Sequence, residues 1–353
     1  MLDDRAALRA VDRSDMLSVL AGLPEQVRQS AQAGARLQPR SRGPFTAVCF
    51  AAMGGSAMGA DVAAAWLARR SSLPCAVVRD YDAPAWAGRG ALLVAVSYSG
   101  NTEETLDAAR QAHERGAHIL AVTSGGALAS WAEGAGGDVV RVPAGLQPRA
   151  ALGHLAFATL GALEGLGLAS VGKDAEGVAA HLERVRAQLS PEQPEAQNPA
   201  KQLARALHGK IGFVYGAGLC AIAARRIATQ LNENSKELAH WGPIPEVHHN
   251  ELSAWFGDPR LRTQAMPVVV QAEPPTTPLG ARERATAAVL REAGAAPWLL
   301  EAQGDTALAR AFHAIYVGDY ASIYLACLLG RDPTPVDAIQ KLKQRMAEFR
   351  RPS

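Results

Sequence analysis

The stretches "AVCFAAMGGSAMGADVAAAWLARR" at residues 47–70 and "KIGFVYGAGLCAIAARRIATQL" at 210–231 follow one plan. Each is an apolar run of strand length, a glycine-bearing turn and an alanine-rich segment of helix length. A strand that feeds a helix through such a turn opens an α/β unit, and its repetition predicts two similar α/β domains in tandem. Around the first unit, apolar runs fall at 45–53, 74–79, 91–97, 118–123 and 138–142, with helix-length segments between most of them. Continuous apolar strands alternating with helices imply a parallel sheet covered on both faces. Beyond the second unit, strands are expected at 266–271 and 297–301. A helical segment, "DMLSVLAGLPEQVRQSAQ" (15–32), precedes the first unit, and "AALGHLAFATLGALEGLGLA" (150–169) follows its sheet. The run "SPEQPEAQNPA" (190–200), rich in Pro, Gln and Glu, reads as a linker. The expected organisation is a helical arm over 1–36, a first domain over 37–175, a helix and linker over 176–200, and a second domain with a C-terminal helix over 201–353.

Bulk properties exclude several classes of function. The 36 basic and 34 acidic residues nearly cancel and no basic block stands apart, which argues against nucleic acid as a partner. Cys49, Cys75, Cys220 and Cys327 are widely separated with no CxxC pair, so neither a zinc site nor a disulfide framework is indicated. The start, "MLDDRAALRA", is charged, and apolar stretches such as "SIYLACLLG" (322–330) are too short to span a bilayer. A soluble protein of the cytoplasm is expected.

The turns carry the chemistry. "GAGLCA" (216–221) fits a dinucleotide fingerprint, but the acidic residue that should end the next strand is replaced by Glu233, which arrives early and inside a helical pattern. Neither glycine turn ends in the G-K-[ST] of a P-loop. What remains at Gly54, Gly55 and Ser56 is backbone open to close approach at the carboxyl end of a strand, serving either a ligand or helix–strand packing. In "VAVSYSGNTEETLDAAR" (94–110), Ser97, Ser99, Asn101 and Thr102 crowd the handover from strand to helix. They form either a helix cap, with Asn101 or Thr102 as N-cap, or a cradle in which hydroxyls and free N–H groups hold a phosphate.

Two further segments stand out. In "QLNENSKELAHWGPIPEVHHNEL" (230–252), poor helix formers interrupt an alanine-rich helix, and Pro243 and Pro245 hold an extended piece leading to His248, His249, Asn250 and Glu251. A solvated loop and an acid–base pair of carboxylate and imidazole are both open readings. Adjacent histidines in an extended segment would point to opposite faces, which serves metal ligation poorly. In "GRDPTPVDAIQKLKQRMAEFRR" (330–351), Thr334 is the expected N-cap, Pro335 the first helical residue and Asp337 the completion of a box-like start. Val336, Ile339, Lys343 and Met346 then share one side of that helix, with Lys341 nearly opposite. Lys343 either snorkels at the edge of the stripe or is held in a cleft.

Taken together, "MGGSAMGAD", "SYSGNTEETL", "QPRAALGHL", "LNENSKELA", "HHNE", "DYASIYLACLLGRDPTPV" and the late "LK" resemble the bifunctional phosphoglucose/phosphomannose isomerases of the sugar isomerase (SIS) superfamily. The likeness runs nearly end to end. It implies two tandem SIS domains, each a doubly wound, five-stranded parallel sheet flanked by helices. It further implies a hexose 6-phosphate substrate, with Ser97, Ser99 and Thr102 on the phosphate and Gly54, Gly55 and Ser56 along the sugar. Arg149 would lie near the reacting end, Glu233 would be the general base, His249 the acid–base histidine and Lys343 the C-terminal lysine. A homodimer is implied, with His249 reaching the partner's active site.

The chemistry implied is interconversion of glucose 6-phosphate, and mannose 6-phosphate, with fructose 6-phosphate through a cis-enediol. Imidazole suits proton transfer in ring opening, one carboxylate can carry the proton between C2 and C1, and a cation stabilises the developing oxyanion. No redox cofactor is needed for this, and no metal follows from the sequence. The alternatives are another SIS isomerase or amino-sugar phosphate enzyme, or a non-catalytic phosphosugar-binding regulator.

Overall fold

The computed structural model describes residues 1–349. The first sheet comprises β1 (Ala47–Ala52), β2 (Cys75–Val78), β3 (Ala91–Val96), β4 (His118–Thr123) and β5 (Asp138–Arg141), in the spatial order β2-β1-β3-β4-β5. All its pairings are parallel. Every residue of β1 and β3 is buried, as strands covered on both faces require.

The second sheet is built from β6 (Ile211–Ala217), β7 (Ala239–Ile244), β8 (Ala265–Gln271) and β9 (Trp298–Glu301), also parallel, in the order β7-β6-β8-β9. It repeats the connectivity of the first sheet with one strand fewer, so the expectation of five strands in each half is corrected to five and four. After β9 the chain enters the helix Ala307–Leu328, buried along almost its whole length, and no apolar run remains to make a fifth strand. A helix that is apolar all round belongs in an interior, and this one lies against helices of both halves.

The N-terminal segment is three helices, Arg5–Val11, Met16–Ala21 and Leu23–Ala35, and it is sewn into the body. Leu2, Leu8, Met16, Leu17 and Leu20 belong to an apolar core that runs through both sheets. Helix Leu23–Ala35 crosses Leu152–Gly165 at close range: a Cβ on Gly34 would fall 2.3 Å from the Ala158 carbonyl oxygen, and one on Gly161 2.3 Å from that of Ala31. The segment read as a linker is pinned by Lys201, whose buried Nζ donates to the carbonyls of Pro191 and Gln193 and meets the Asp3 carboxylate at 3.1 Å.

Candidate active site

In a sheet of order 2-1-3-4-5, the outgoing helices of β1 and β3 part to opposite faces, leaving a crevice beyond the strands' carboxyl ends. Both hydroxyl-bearing turns lie there. The helix Gly54–Leu67 begins directly after β1, with Gly54 at φ +51°, and Glu103–Glu114 begins directly after the turn that follows β3. Ser56 Oγ accepts from the Tyr98 N–H at 3.1 Å and so joins the two turns. A Cβ on Gly55 would fall 3.1 Å from the Arg149 Cα, so that turn abuts Arg149 directly.

The cap reading of the second turn is resolved by its hydrogen bonds. Thr102 occupies the N-cap position, yet its side chain makes no capping bond. Its hydroxyl is 2.8 Å from that of Ser97 instead. Asn101 Oδ1 accepts from the N–H of Ala127, in a different helix, and Ser99, exposed, accepts from the Asn101 N–H at 3.2 Å. Gly100 holds the turn at φ +68°, where a Cβ would collide with the Gly125 carbonyl oxygen at 1.8 Å. The start of this helix is therefore left without a side-chain cap beside a pair of hydroxyls, the arrangement that suits an anion.

Across from these turns, Glu233 lies in a π-helical turn, Leu231–Ser235, that closes the helix Cys220–Gln230. Such turns widen a helix locally and redirect its side chains. Arg149, on the short 3-10 turn Pro148–Ala151 and 3 % exposed, sets Nη1 3.8 Å from the Glu233 carboxylate. Its Nε donates to Asn234 Oδ1 at 2.7 Å, and Nη2 donates to the carbonyls of Pro333 and Thr334 at 2.8 Å each. Burial lowers the Arg149 pKa from its ordinary value, with Glu233 pulling the other way and Arg226 reinforcing the drop. A carboxylate and a fixed guanidinium thus face one another beside the Gly54–Ser56 turn, which Ser56 joins to the hydroxyl-bearing turn after β3.

At the corresponding end of the second sheet a carboxylate of the chain itself takes the strand's amides. At the end of β8, the N–H groups of Ala272 and Glu273 both donate to Glu283 Oε2 at 3.0 Å, and Glu283 is fully buried. Its carboxyl pKa is raised by that burial.

Comparison with known proteins accords with this architecture. A model described as the bacterial phospho-glucose isomerase C-terminal SIS domain matches residues 196–346, and the SIS domain model matches 47–135. A bifunctional phosphoglucose/phosphomannose isomerase of Caldicellulosiruptor bescii is 35% identical over 95% of this chain and 100% of its own length. The chain belongs to the bifunctional phosphoglucose/phosphomannose isomerase family. The relative of that name from Aquifex aeolicus is 34% identical over 86% of this chain and 91% of its own. Among solved structures, a glucose-6-phosphate isomerase like protein of Thermus thermophilus superimposes with a TM-score of 0.65 at 20% identity, over 97% of this chain and 98% of that one, which shows a shared fold.

Of the residues that family resemblance singles out, the structure gathers Gly54, Gly55, Ser56, Ser97, Ser99, Thr102, Arg149 and Glu233 around the first crevice. His249 and Lys343 stand apart: among the described residues, no hydrogen bond or ion pair joins either to that group. The segment before His249 is not extended at its end but coils into a 3-10 turn, Glu246–His249. His248 is tied to Thr286 Oγ1 and Arg282, while His249 is exposed. Glu251 takes the hydroxyl of Tyr215 at 2.5 Å and His240 at 2.9 Å.

The C-terminal helix starts at Asp337, later than expected, and Thr334 Oγ1 caps nothing. Nor does that helix turn one face to the body. Lys341 and Lys343 are both exposed, and Ile339, Leu342 and Phe349 are 44%, 60% and 88% exposed, so the contrast expected between the two lysines is absent within one chain.

Three residues escaped sequence reasoning. Asn234 orients Arg149. Lys236, at φ +57°, donates Nζ to the carbonyls of Asn234, Asp332 and Pro333, tying the π-turn to the segment that contacts Arg149. Tyr98 donates its hydroxyl to the Pro143 carbonyl and accepts from the Leu146 N–H, anchoring the loop that leads to Arg149. "LNENS" does signal a broken helix, but nothing local announces partners so distant in sequence.

Proposed function

We propose that this chain is an aldose-ketose isomerase that interconverts glucose 6-phosphate, and mannose 6-phosphate, with fructose 6-phosphate through a cis-enediol. The observation that carries this reading is the Arg149–Glu233 pair, 3.8 Å apart, against the Gly54–Ser56 turn, which Ser56 ties to the turn bearing the Ser97 and Thr102 hydroxyls. The phosphate sits at the uncapped start of Glu103–Glu114, held by Ser97, Ser99 and Thr102, and the sugar lies along Gly54, Gly55 and Ser56. Glu233 removes the C2 proton and returns it at C1. Arg149 stabilises the oxyanion that develops between these steps, where a fixed donor in a buried setting is most effective.

A coupled assay with each hexose 6-phosphate, with and without chelator, tests the reading. Turnover unaffected by chelator supports it, and no turnover of any hexose phosphate would favour a binding protein. Ser99→Ala should raise KM for the phosphosugar roughly tenfold while the melting temperature barely moves, since an exposed hydroxyl that bonds an anion contributes about 1.5–3 kcal/mol to binding and little to folding. A fall in stability with KM unchanged would restore the turn to a purely structural role.

His249 and Lys343 enter this scheme through a second copy of the chain, as a homodimer in which His249 reaches the partner's crevice and opens the sugar ring. Two observations support that. His249 is exposed, and the helix Asp337–Phe349 exposes the apolar face a partner would cover. A helix of this length is marginal in water without such packing. Mixing refolded Glu233→Gln and His249→Ala chains, each inactive alone, should restore activity, because one site of each hybrid pair receives an intact carboxylate and an intact imidazole. Hybrids without activity would place both groups on one chain or dismiss His249.

A further inference from the structure

Arg149 belongs to a closed ring of hydrogen bonds that the reaction's own residues do not account for. Its Nε donates to Asn234 Oδ1, and Asn234 Nδ2 donates to Ser322 Oγ at 2.8 Å. Ser322 Oγ donates to the Asp319 carbonyl, one turn back in the helix Ala307–Leu328, at 2.6 Å. The Asp319 carboxylate takes Arg226 through Nε and Nη2, both at 2.9 Å, and that same Nη2 donates to the Arg149 carbonyl at 2.5 Å. All five residues are buried.

A buried ion pair such as Arg226–Asp319 adds little net stability compared with apolar packing, so stability is a poor account of this ring. Its polarity offers a better one. An arginine Nε only donates, so Asn234 must present its oxygen there. Ser322, whose hydrogen already goes to the Asp319 carbonyl, is left only to accept, and so fixes the NH2 side of the same amide. Ser322 therefore decides which way Asn234 faces. The ring also meets Arg149 twice, at the side-chain Nε and at the main-chain oxygen, which fixes both the backbone and the guanidinium plane. With Nη2 held by Pro333 and Thr334, Nη1 is the nitrogen that faces Glu233.

We propose that Ser322, Asp319 and Arg226 are positioning residues of the isomerase site, acting through Asn234 and the Arg149 backbone to aim the guanidinium at the reacting carbons. Among the described residues no hydrogen bond or ion pair joins the three to Glu233 or to the hydroxyl-bearing turns, and each is buried. The proposal rests on the reading of Arg149 as the oxyanion-stabilising group. A donor displaced by a fraction of an ångström still binds ground-state substrate but loses much of its grip on the transition state, so the signature is a fall in kcat with KM preserved.

Ser322→Thr and Ser322→Val test this in the full-length chain, because the two side chains share a shape and differ only in the hydroxyl. The threonine variant should turn over roughly tenfold faster than the valine variant at equal KM and similar melting temperature. Ser322→Ala, which adds no bulk, should likewise lose kcat roughly tenfold with KM kept within about twofold. Equal kcat for the threonine and valine variants, or parent kcat in Ser322→Ala, would overturn the proposal. Arg149→Met separates the two levels. Parent turnover in that variant overturns the reading of the site itself, whereas its loss alongside an active Ser322→Ala leaves that reading standing and removes the ring.

Discussion

Replacing Glu233 with glutamine should lower kcat at least roughly 100-fold, and exchange of the substrate's C2 hydrogen with solvent should disappear with it. Glutamine keeps the size and hydrogen-bonding capacity of the side chain but cannot take a proton. Glu233 lies at the half-exposed edge of the π-turn, while its neighbours Asn234 and Ser235 are buried and bonded, so the turn should survive the change. Stability should accordingly shift by no more than about 0.5 kcal/mol. Proton exchange followed by NMR in deuterated buffer is the direct measurement, and exchange that persists in the variant would clear Glu233 of the role of base.

Arg149→Met should have an effect as large on activity, and a second effect on folding. Loss of a fixed donor to a developing oxyanion costs about 100- to 1,000-fold in kcat. The Thr334 carbonyl and the Asn234 amide oxygen would lose their Arg149 donor together, and the Pro333 carbonyl would keep only Lys236, which should destabilise the fold by roughly 2–4 kcal/mol. Arg149→Lys divides these effects. An ammonium retains the charge but cannot reproduce a planar fork with three differently directed nitrogens, so kcat should stay at least about tenfold down. Kinetics paired with thermal denaturation would read both. Parent turnover in Arg149→Met would remove the guanidinium from the reaction.

The central strands β1, β3 and β4 of the first sheet can be read because their burial is nearly total. β1 and β3 have no polar face, and continuous apolar runs between helix-length segments leave few alternatives. β7, "AHWGPI", is harder: it contains Pro243 and Gly242, is only partly buried and pairs on one side alone, so it reads as an extended piece without showing that it joins the sheet. The site divides along similar lines. Hydroxyls at a strand–helix handover and a carboxylate in a broken helix are local signals. Arg149 meeting Asn234, 85 residues on, and Thr334, 185 residues on, has no local signal at all. The C-terminal helix shows a third limit. Its amphipathic pattern tells which side is apolar and leaves Lys343 either snorkelling at the edge of that stripe or held in a cleft. The structure places that face in the open, because periodicity identifies a face that wants covering and says nothing about whose surface covers it.

Glu283 gives the duplication of this chain an asymmetric meaning. Its carboxylate takes the two amides just beyond the end of β8, so this half ties down with a charged side chain a strand end that the first half ties down with Ser56 and the Val122 carbonyl. The second half thus carries an internal carboxylate at that point, and on the proposed reading the molecule, though built from two copies of one plan, holds hexose phosphate in its first half alone. On that reading the second half, freed from gripping a ligand, brings the Glu233 carboxylate to Arg149 of the first. On that reading the copies are specialists, one a holder and one a reagent, and because a single apolar core runs through both sheets the division of labour lies within one folding unit.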